Sequence, residues 1–366
     1  MTIEDLALLF TRGIGARGAA ALVDYFGSAE EVFAASKAEL MNSVSLREDL
    51  AESIVSGAGM RRAEREVEYC RKHDIRIISA TDREYPESLR MASDRPHVLF
   101  VQGNVAALSM QCLSVVGTRE STPTGTHVCQ QLVTSLSEKI RNLCIVSGLA
   151  YGIDSAAHRA ALAAGATTIA VLPSVLPSIT PAAHRTLADD ILRSGGALVS
   201  ELHSETHQNG SFFISRNRII AALASGVLVV ESPASGGSLT TAEYADSYSR
   251  PVMAVPGRIT DTQSFGTNNL IRIGKARLVL TADDIIEELG WQPSCGTEET
   301  KSSDIEIELS DAESAVLQAL STSPTVEWER LISTTGLSLG ELSMVAMDLE
   351  LKGLIRALPG KRYELI

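Results

Sequence analysis

Eight short, uniformly apolar runs separated by helix-like segments constrain this chain more than any other feature. They lie at residues 75–78, 113–116, 144–147, 168–172, 197–201, 227–231, 252–255 and 278–280. Strands with one wet face alternate apolar and polar residues. These runs do not alternate, which marks strands buried on both faces, as in a parallel sheet. Helical patterns at 126–138, 155–164, 186–192, 216–224 and 239–247 fill most of the gaps. Strand and helix alternating at this spacing predict a doubly wound α/β sheet.

At 366 residues the chain is long for one core, and its ends differ from its middle. Residues 1–74 read as short helices around Gly13-Ile14-Gly15, a turn that resembles a helix-hairpin-helix. Residues 75–290 hold the sheet. Residues 291–309, with Pro293, Gly296, Ser302, Ser303 and the acidic pair Glu298-Glu299, read as a linker. Residues 310–366 read as three helices and a β-hairpin, an order that suggests a winged helix.

The net charge of −13 argues at first against nucleic acid, but its distribution reverses that reading. Residues 281–366 carry 17 acids against 6 bases, so the other 280 residues hold 28 acids and 26 bases. Residues 211–277 carry seven bases and four acids. An anion site therefore fits the middle of the chain and not its end.

Three of the apolar runs end in glycine-rich loops. The first loop, Gly117-Thr118-Arg119-Glu120-Ser121, leads to Thr122-Pro123, which reads as an N-cap with proline at the first helical position. Free amides and a helix dipole there suit a phosphate, and Arg119 offers a fork of donors. An arginine paired with a nearby acid is the alternative. In the second loop, Gly148 and Gly152 permit close backbone approach, and Asp154 is a candidate N-cap for a helix containing His158. The third is Ser235-Gly236-Gly237-Ser238, a possible backbone cradle for phosphate. Before it come Phe213, Arg216, Asn217 and Arg218. Arginines at a helix start oppose its dipole, so an anion or a buried acid should accompany them. Aromatic plus arginine suits stacked bases flanked by phosphates.

Other classes find little support. Gly-x-Gly-x-x-Gly and Gly-x-x-x-x-Gly-Lys-Ser/Thr are missing, so neither a dinucleotide nor a P-loop triphosphate site is expected. His203 and His207 have metal-ligand spacing but no third ligand, so no metal and no cofactor are expected. Five scattered cysteines without Cys-x-x-Cys suit reduced cytosolic thiols. Two early acids argue against a secretory signal, and no apolar run approaches a membrane span, so a cytoplasmic protein without membrane contact is expected.

Five ordered segments resemble the DprA/Smf family of bacterial DNA-processing proteins. They are Val116-Gly117-Thr118-Arg119, Ser147-Gly148-Leu149-Ala150-Tyr151-Gly152-Ile153-Asp154, Phe213-x-x-Arg216-Asn217-Arg218-Ile219-Ile220-Ala221, Gly236-Gly237-Ser238-Leu239-Thr240-Thr241-Ala242 and Ala254-Val255-Pro256-Gly257. The resemblance covers about residues 76–290. It implies an extended Rossmann-like domain, a homodimer, and binding of single-stranded DNA without catalysis. It also implies protection of incoming strands and loading of RecA during natural transformation. Carried over, Arg119 is the main phosphate contact, with Gly117, Thr118, Phe213, Arg216, Asn217, Arg218, Gly236, Gly237 and Ser238 lining the groove. The loop at 173–185 departs from the family pattern, with Thr180 at the tyrosine position and no acid. Arg185 is left as its candidate basic contact.

The rival reading is an enzyme. Gly236-Gly237-Ser238-Leu239-Thr240-Thr241-Ala242-Glu243 matches the phosphate loop of lysine-decarboxylase-like (LOG) nucleotide phosphoribohydrolases except at Leu239. A bulky residue there would crowd a nucleotide phosphate, and Arg216-Asn217-Arg218 fits DNA better.

Overall fold

The computed structural model describes residues 1–11, 13–43, 46–293, 310–320, 326–351, 355–358 and 362–365. The chain divides into two compact units, Met1–Gly296 and Thr297–Ile366. The first is built on nine strands: β1 (Arg76–Ser79), β2 (Val98–Gly103), β3 (Gln111–Val116), β4 (Leu143–Ser147), β5 (Thr167–Val171), β6 (Ala197–Ser200), β7 (Gly226–Val229), β8 (Val252–Ala254) and β9 (Arg277–Leu278). Their order is β1-β2-β6-β5-β4-β3-β7-β8-β9. The seven strands from β6 to β9 run parallel, and β2 pairs antiparallel with both β6 and β1.

The unbroken apolar runs have a direct cause. On β3, Leu113 and Val115 enter one core with helices Pro123–Lys139, Ile153–Ala163 and Ala282–Glu288. Cys112 and Val116 enter the opposite core, with helices Asn217–Leu223 and Gly237–Ser247. Successive side chains point to opposite faces, and both faces are dry, so no position can be polar without a partner. Ser114 is the exception that obeys the rule, donating its hydroxyl to the Ile220 carbonyl at 2.7 Å.

Sequence reading passed over β2. Its apolar stretch, Val98-Leu99-Phe100-Val101, lies between Pro96 and Gly103 and is followed by a 3₁₀ turn rather than a helix, so the strand–helix rhythm gives it no cue. β2 is also where the N-terminal helices attach. Leu6, Ala7 and Phe10 of helix Ile3–Phe10 share a core with Val98 and Phe100. Beneath that contact Asp5 and His97, both buried, meet at 2.9 Å. Helix Met60–Lys72 holds the chain after β6: its buried Glu66 accepts the Ser204 amide at 2.9 Å and the Ser204 hydroxyl as well. Among the described residues no helix is long and apolar enough to cross a membrane.

The second unit has helices Asp311–Leu320, Trp328–Thr335 and Leu339–Leu351. A three-stranded antiparallel sheet accompanies them, β10 (Val326–Glu327), β11 (Ile355–Leu358) and β12 (Arg362–Leu365), with β12 in the centre. This is a winged helix. Its core gathers Val316, Leu320, Leu331, Leu342, Leu349 and Ile355. Three helices and a hairpin were expected here; β10 is an additional strand, so the second helix begins at Trp328. Residues 294–309 of the expected linker lie outside the described residues.

Phe100 joins the N-terminal helices to the sheet, so Phe100→Ala should cost roughly 3–5 kcal/mol in urea unfolding. It should also expose the N-terminal helices to limited proteolysis before the sheet. Cleavage spread evenly over the first unit would show that the helices do not depend on this contact.

Candidate nucleic-acid interface

The strand order reverses between β3 and β7. In an open α/β sheet that point leaves a crevice at the carboxyl ends, because the connections on either side diverge to opposite faces. A pocket of about 390 Å³ lies there. It is lined by Gly117, Thr118 and Arg119 after β3, by Ala150 and Asp154 after β4, and by Phe213, Arg216 and Asn217. The chain after β7 closes it with Pro233, Gly236, Gly237 and Ser238. Three glycine loops that are far apart in sequence thus share one site.

Arg119 is exposed, and its guanidinium stands 5.4 Å from the centroid of the Phe213 ring. The pair makes a cation–π contact, and the arginine stays exposed. Phe213 sits in the single turn Phe212–Ser215 and is half-buried. The arginines that follow have other duties. Arg216 is only 5% exposed; its guanidinium donates to the carbonyls of Gly148, at 2.7 Å, and Val171. Burial pulls it down to about 10; the charge of Asp154 opposes that shift and the charge of Arg119 adds to it. Arg218 is 8% exposed, pairs with Glu201 and does not line the pocket. Of the two arginines expected to line the groove, Arg216 lines the pocket and Arg218 does not. Arg216 is held in the pocket wall, and Arg218 pairs with the half-buried acid Glu201, the kind of partner named as the alternative to an anion.

The loop after β4 is heavily constrained. Buried Asp154 accepts the Gly148 amide at 3.2 Å and the Ala150 amide at 3.4 Å. Burial raises its carboxyl, and Arg216 and these donors hold it back. At Gly148 a Cβ would run into the Arg216 guanidinium. Gly152 has φ +74°, and a Cβ there would fall onto the Thr118 carbonyl oxygen. Both glycines thus serve close packing beneath the pocket and do not line it. His158 is fully buried in helix Ile153–Ala163 and bonds Thr168 at 2.7 Å. Burial, with help from Arg216 and His184, drives it down to about 3, so it is a neutral core residue.

The helix start beside the first glycine loop is already taken, although Gly117, Thr118 and Arg119 still line the pocket. Thr122 caps helix Pro123–Lys139 by accepting the Gly125 amide, and its own amide and hydroxyl donate to Glu231 at 2.9 and 2.6 Å. A protein carboxylate stands where the anion was expected. The sequence carries a trace of this, since any side chain at Gly125 would strike the Glu231 carboxyl. The open helix start is Gly237–Ser247 instead. It begins at Gly236 with no side-chain cap and no acid in its first turn, and Gly236, Gly237 and Ser238 line the pocket. Asn217 donates to the Gly237 carbonyl at 3.1 Å and fixes this turn against the Phe213 segment. Sequence reasoning also missed Ile214 and Gln263 in the lining; neither belongs to a motif of recognisable chemistry.

Arg185 lies apart from the pocket, exposed, at the start of helix Arg185–Arg193. His203 and His207 lie in irregular chain, with His203 packed on Phe10. Among the described residues no three His, Cys, Asp or Glu side chains gather to hold a metal ion.

A doubly wound sheet with a glycine-lined, arginine-bearing crevice at its switch point defines a Rossmann-like protein. The comparisons make it particular. The DNA recombination-mediator protein A family matches residues 76–290, and a DprA winged helix domain matches residues 300–361. The chain is 35% identical over 325 residues to protein Smf of Escherichia coli, covering 83% of this chain and 84% of that one. It is 40% identical over 212 residues to the DNA processing protein DprA of Streptococcus pneumoniae, covering 58% and 73%. The crystal structure of S. pneumoniae DprA superposes with a TM-score of 0.63 at 31% identity, covering 79% of this chain and 98% of that one. DNA processing protein A of Helicobacter pylori, described in a unique single-stranded DNA binding mode, superposes at 0.52 with 26% identity, covering 59% and 95%. The chain belongs to the DprA/Smf family.

Gly152→Ala should lower unfolding stability by more than about 1 kcal/mol, because alanine disfavours φ +74° and collides with Thr118. Equilibrium urea unfolding checks it; a wild-type midpoint would show that the loop yields freely.

Proposed function

We propose that this protein binds single-stranded DNA along the carboxyl edge of its sheet, protects incoming strands and helps load a RecA-type recombinase during transformation, without breaking a bond. The observation that carries the reading is the Arg119–Phe213 pair at the mouth of the pocket: an exposed fork of donors for a phosphate beside an aromatic ring for a base. Gly117 and Thr118 bring the backbone close, and the uncapped start of helix Gly237–Ser247 supplies further amides. The H. pylori relative, described with single-stranded DNA, supports the ligand class. The family's description as a recombination mediator supports a recombinase as partner. Against the phosphoribohydrolase reading, Glu243, the acid of that loop, is exposed and outside the pocket lining.

A homodimer and a cytoplasmic location complete the proposal. Ile273, Leu278 and Leu280 stand exposed at the outer edge of the sheet around β9, where a second copy could cover them. The second unit has a different role. Helix Leu339–Leu351 is the one a winged helix offers to the major groove. Here it exposes Leu339, Met344 and Met347 beside Glu341, Asp348 and Glu350. Phosphates would be repelled, so we assign the unit to protein contact or self-regulation.

Arg119→Ala should leave the fold intact and weaken single-strand binding. Losing one phosphate contact should flatten log K against log salt by roughly 0.7. Anisotropy titrations across salt measure it; unchanged affinity and slope would remove Arg119 from the site. Truncation after Pro293 should leave single-strand affinity unchanged or raised, since it removes negative charge. A large drop would return the second unit to DNA binding.

A further inference from the structure

Tyr151 is half exposed, at 50%, although its loop is anchored by Asp154 and Arg216. Leu149, two residues before it, has φ +57°, a left-handed conformation costly for a branched side chain, and is completely buried. The Leu149 carbonyl accepts a hydrogen bond from His184 Nδ1 at 2.7 Å. The Tyr151 ring rests edge-on against that same histidine, 4.8 Å between centroids at an interplanar angle of 63°. His184 is only 6% exposed. A buried ring, fixed by the backbone, thus props up an exposed one. Ala150, the preceding residue, lines the pocket.

The residue after His184 is Arg185. It opens helix Arg185–Arg193, where no acid occupies the first turn and the helix dipole disfavours a positive charge. It is exposed. Tyr151 thus packs on the residue that directly precedes Arg185, and both it and Arg185 are exposed. The combination repeats, from other parts of the chain, the chemistry of Phe213 and Arg119.

We infer that Tyr151 is a second base-stacking platform, extending the single-strand track beyond the pocket from the carboxyl end of β4 toward Arg185, the basic contact that the family resemblance already implies. The inference rests on the single-strand reading above. A ring held by His184 loses little freedom on stacking. It accepts any base, because every base has a π face.

The experiment uses the full chain and two fluorescein-labelled 20-mers, oligo-dT and the same backbone with abasic sites throughout, in anisotropy titrations. Tyr151→Leu should weaken oligo-dT binding by about 5- to 100-fold, and Tyr151→Phe should keep wild-type affinity. On the abasic strand Tyr151→Leu should match the wild type, since only phosphates remain to be read. Arg185→Ala should flatten the salt slope by roughly 0.7 on both strands. Wild-type oligo-dT affinity in Tyr151→Leu, with Arg119→Ala still impaired, would overturn the platform and leave the pocket reading standing. An equal loss on both strands would make Tyr151 a prop for the loop. Altered self-association with intact DNA affinity would make it a protein contact. A wild-type protein that binds neither strand would overturn the single-strand reading itself.

Discussion

The site depends on one buried guanidinium. Arg216 reaches under the sheet edge and ties the ends of β4 and β5 together through the carbonyls of Gly148 and Val171. Both carbonyls lie at the strand ends, and one charged donor meets both at once. The cost of burying the charge is offset by Asp154, whose own oxygen gathers the Gly148 and Ala150 amides. This constellation holds the loop after β4 against the segment that follows β6, on one side of the pocket. It also leaves Arg119 as the cation in the pocket free to meet a ligand, while its neighbour is committed to the scaffold.

A second carboxylate divides the carboxyl edge into two unequal helix starts. Glu231 closes the start of helix Pro123–Lys139 from within, and its backbone carbonyl accepts the Thr118 amide at 2.8 Å. The Arg119 loop is thereby held between β3 and β7. The start of helix Gly237–Ser247 receives no such carboxylate. An anion arriving at the switch point meets an open dipole on one side and a filled one on the other, which gives the pocket its direction.

Much of the fold was legible in the residues. The runs at 113–116, 144–147, 168–172 and 227–231 fall on β3, β4, β5 and β7, and Thr122-Pro123 begins a helix as its chemistry requires. These features are local: a strand buried on both faces must be apolar throughout, and a proline can open a helix but not continue one. β2 was not legible, because an antiparallel strand outside the alternating rhythm looks like any short apolar stretch. The site was legible in its loops and less so in its charges. Arg119, Arg216 and Arg218 look alike in sequence, yet one is exposed and two are buried.

The sequence by itself determined the layered α/β architecture, the glycine loops at strand ends and the family. These follow from periodicity, turn chemistry and motif order, all properties of short stretches read in one dimension. Only the tertiary structure decided which charges are free. Whether an arginine meets solvent or a carbonyl depends on distant partners, such as Val171 and Gly148, 45 and 68 residues before Arg216. The same holds for Glu231, which accepts from the capping residue Thr122, 109 residues earlier. Electrostatic roles are set by distance and burial in space, and no local pattern encodes either.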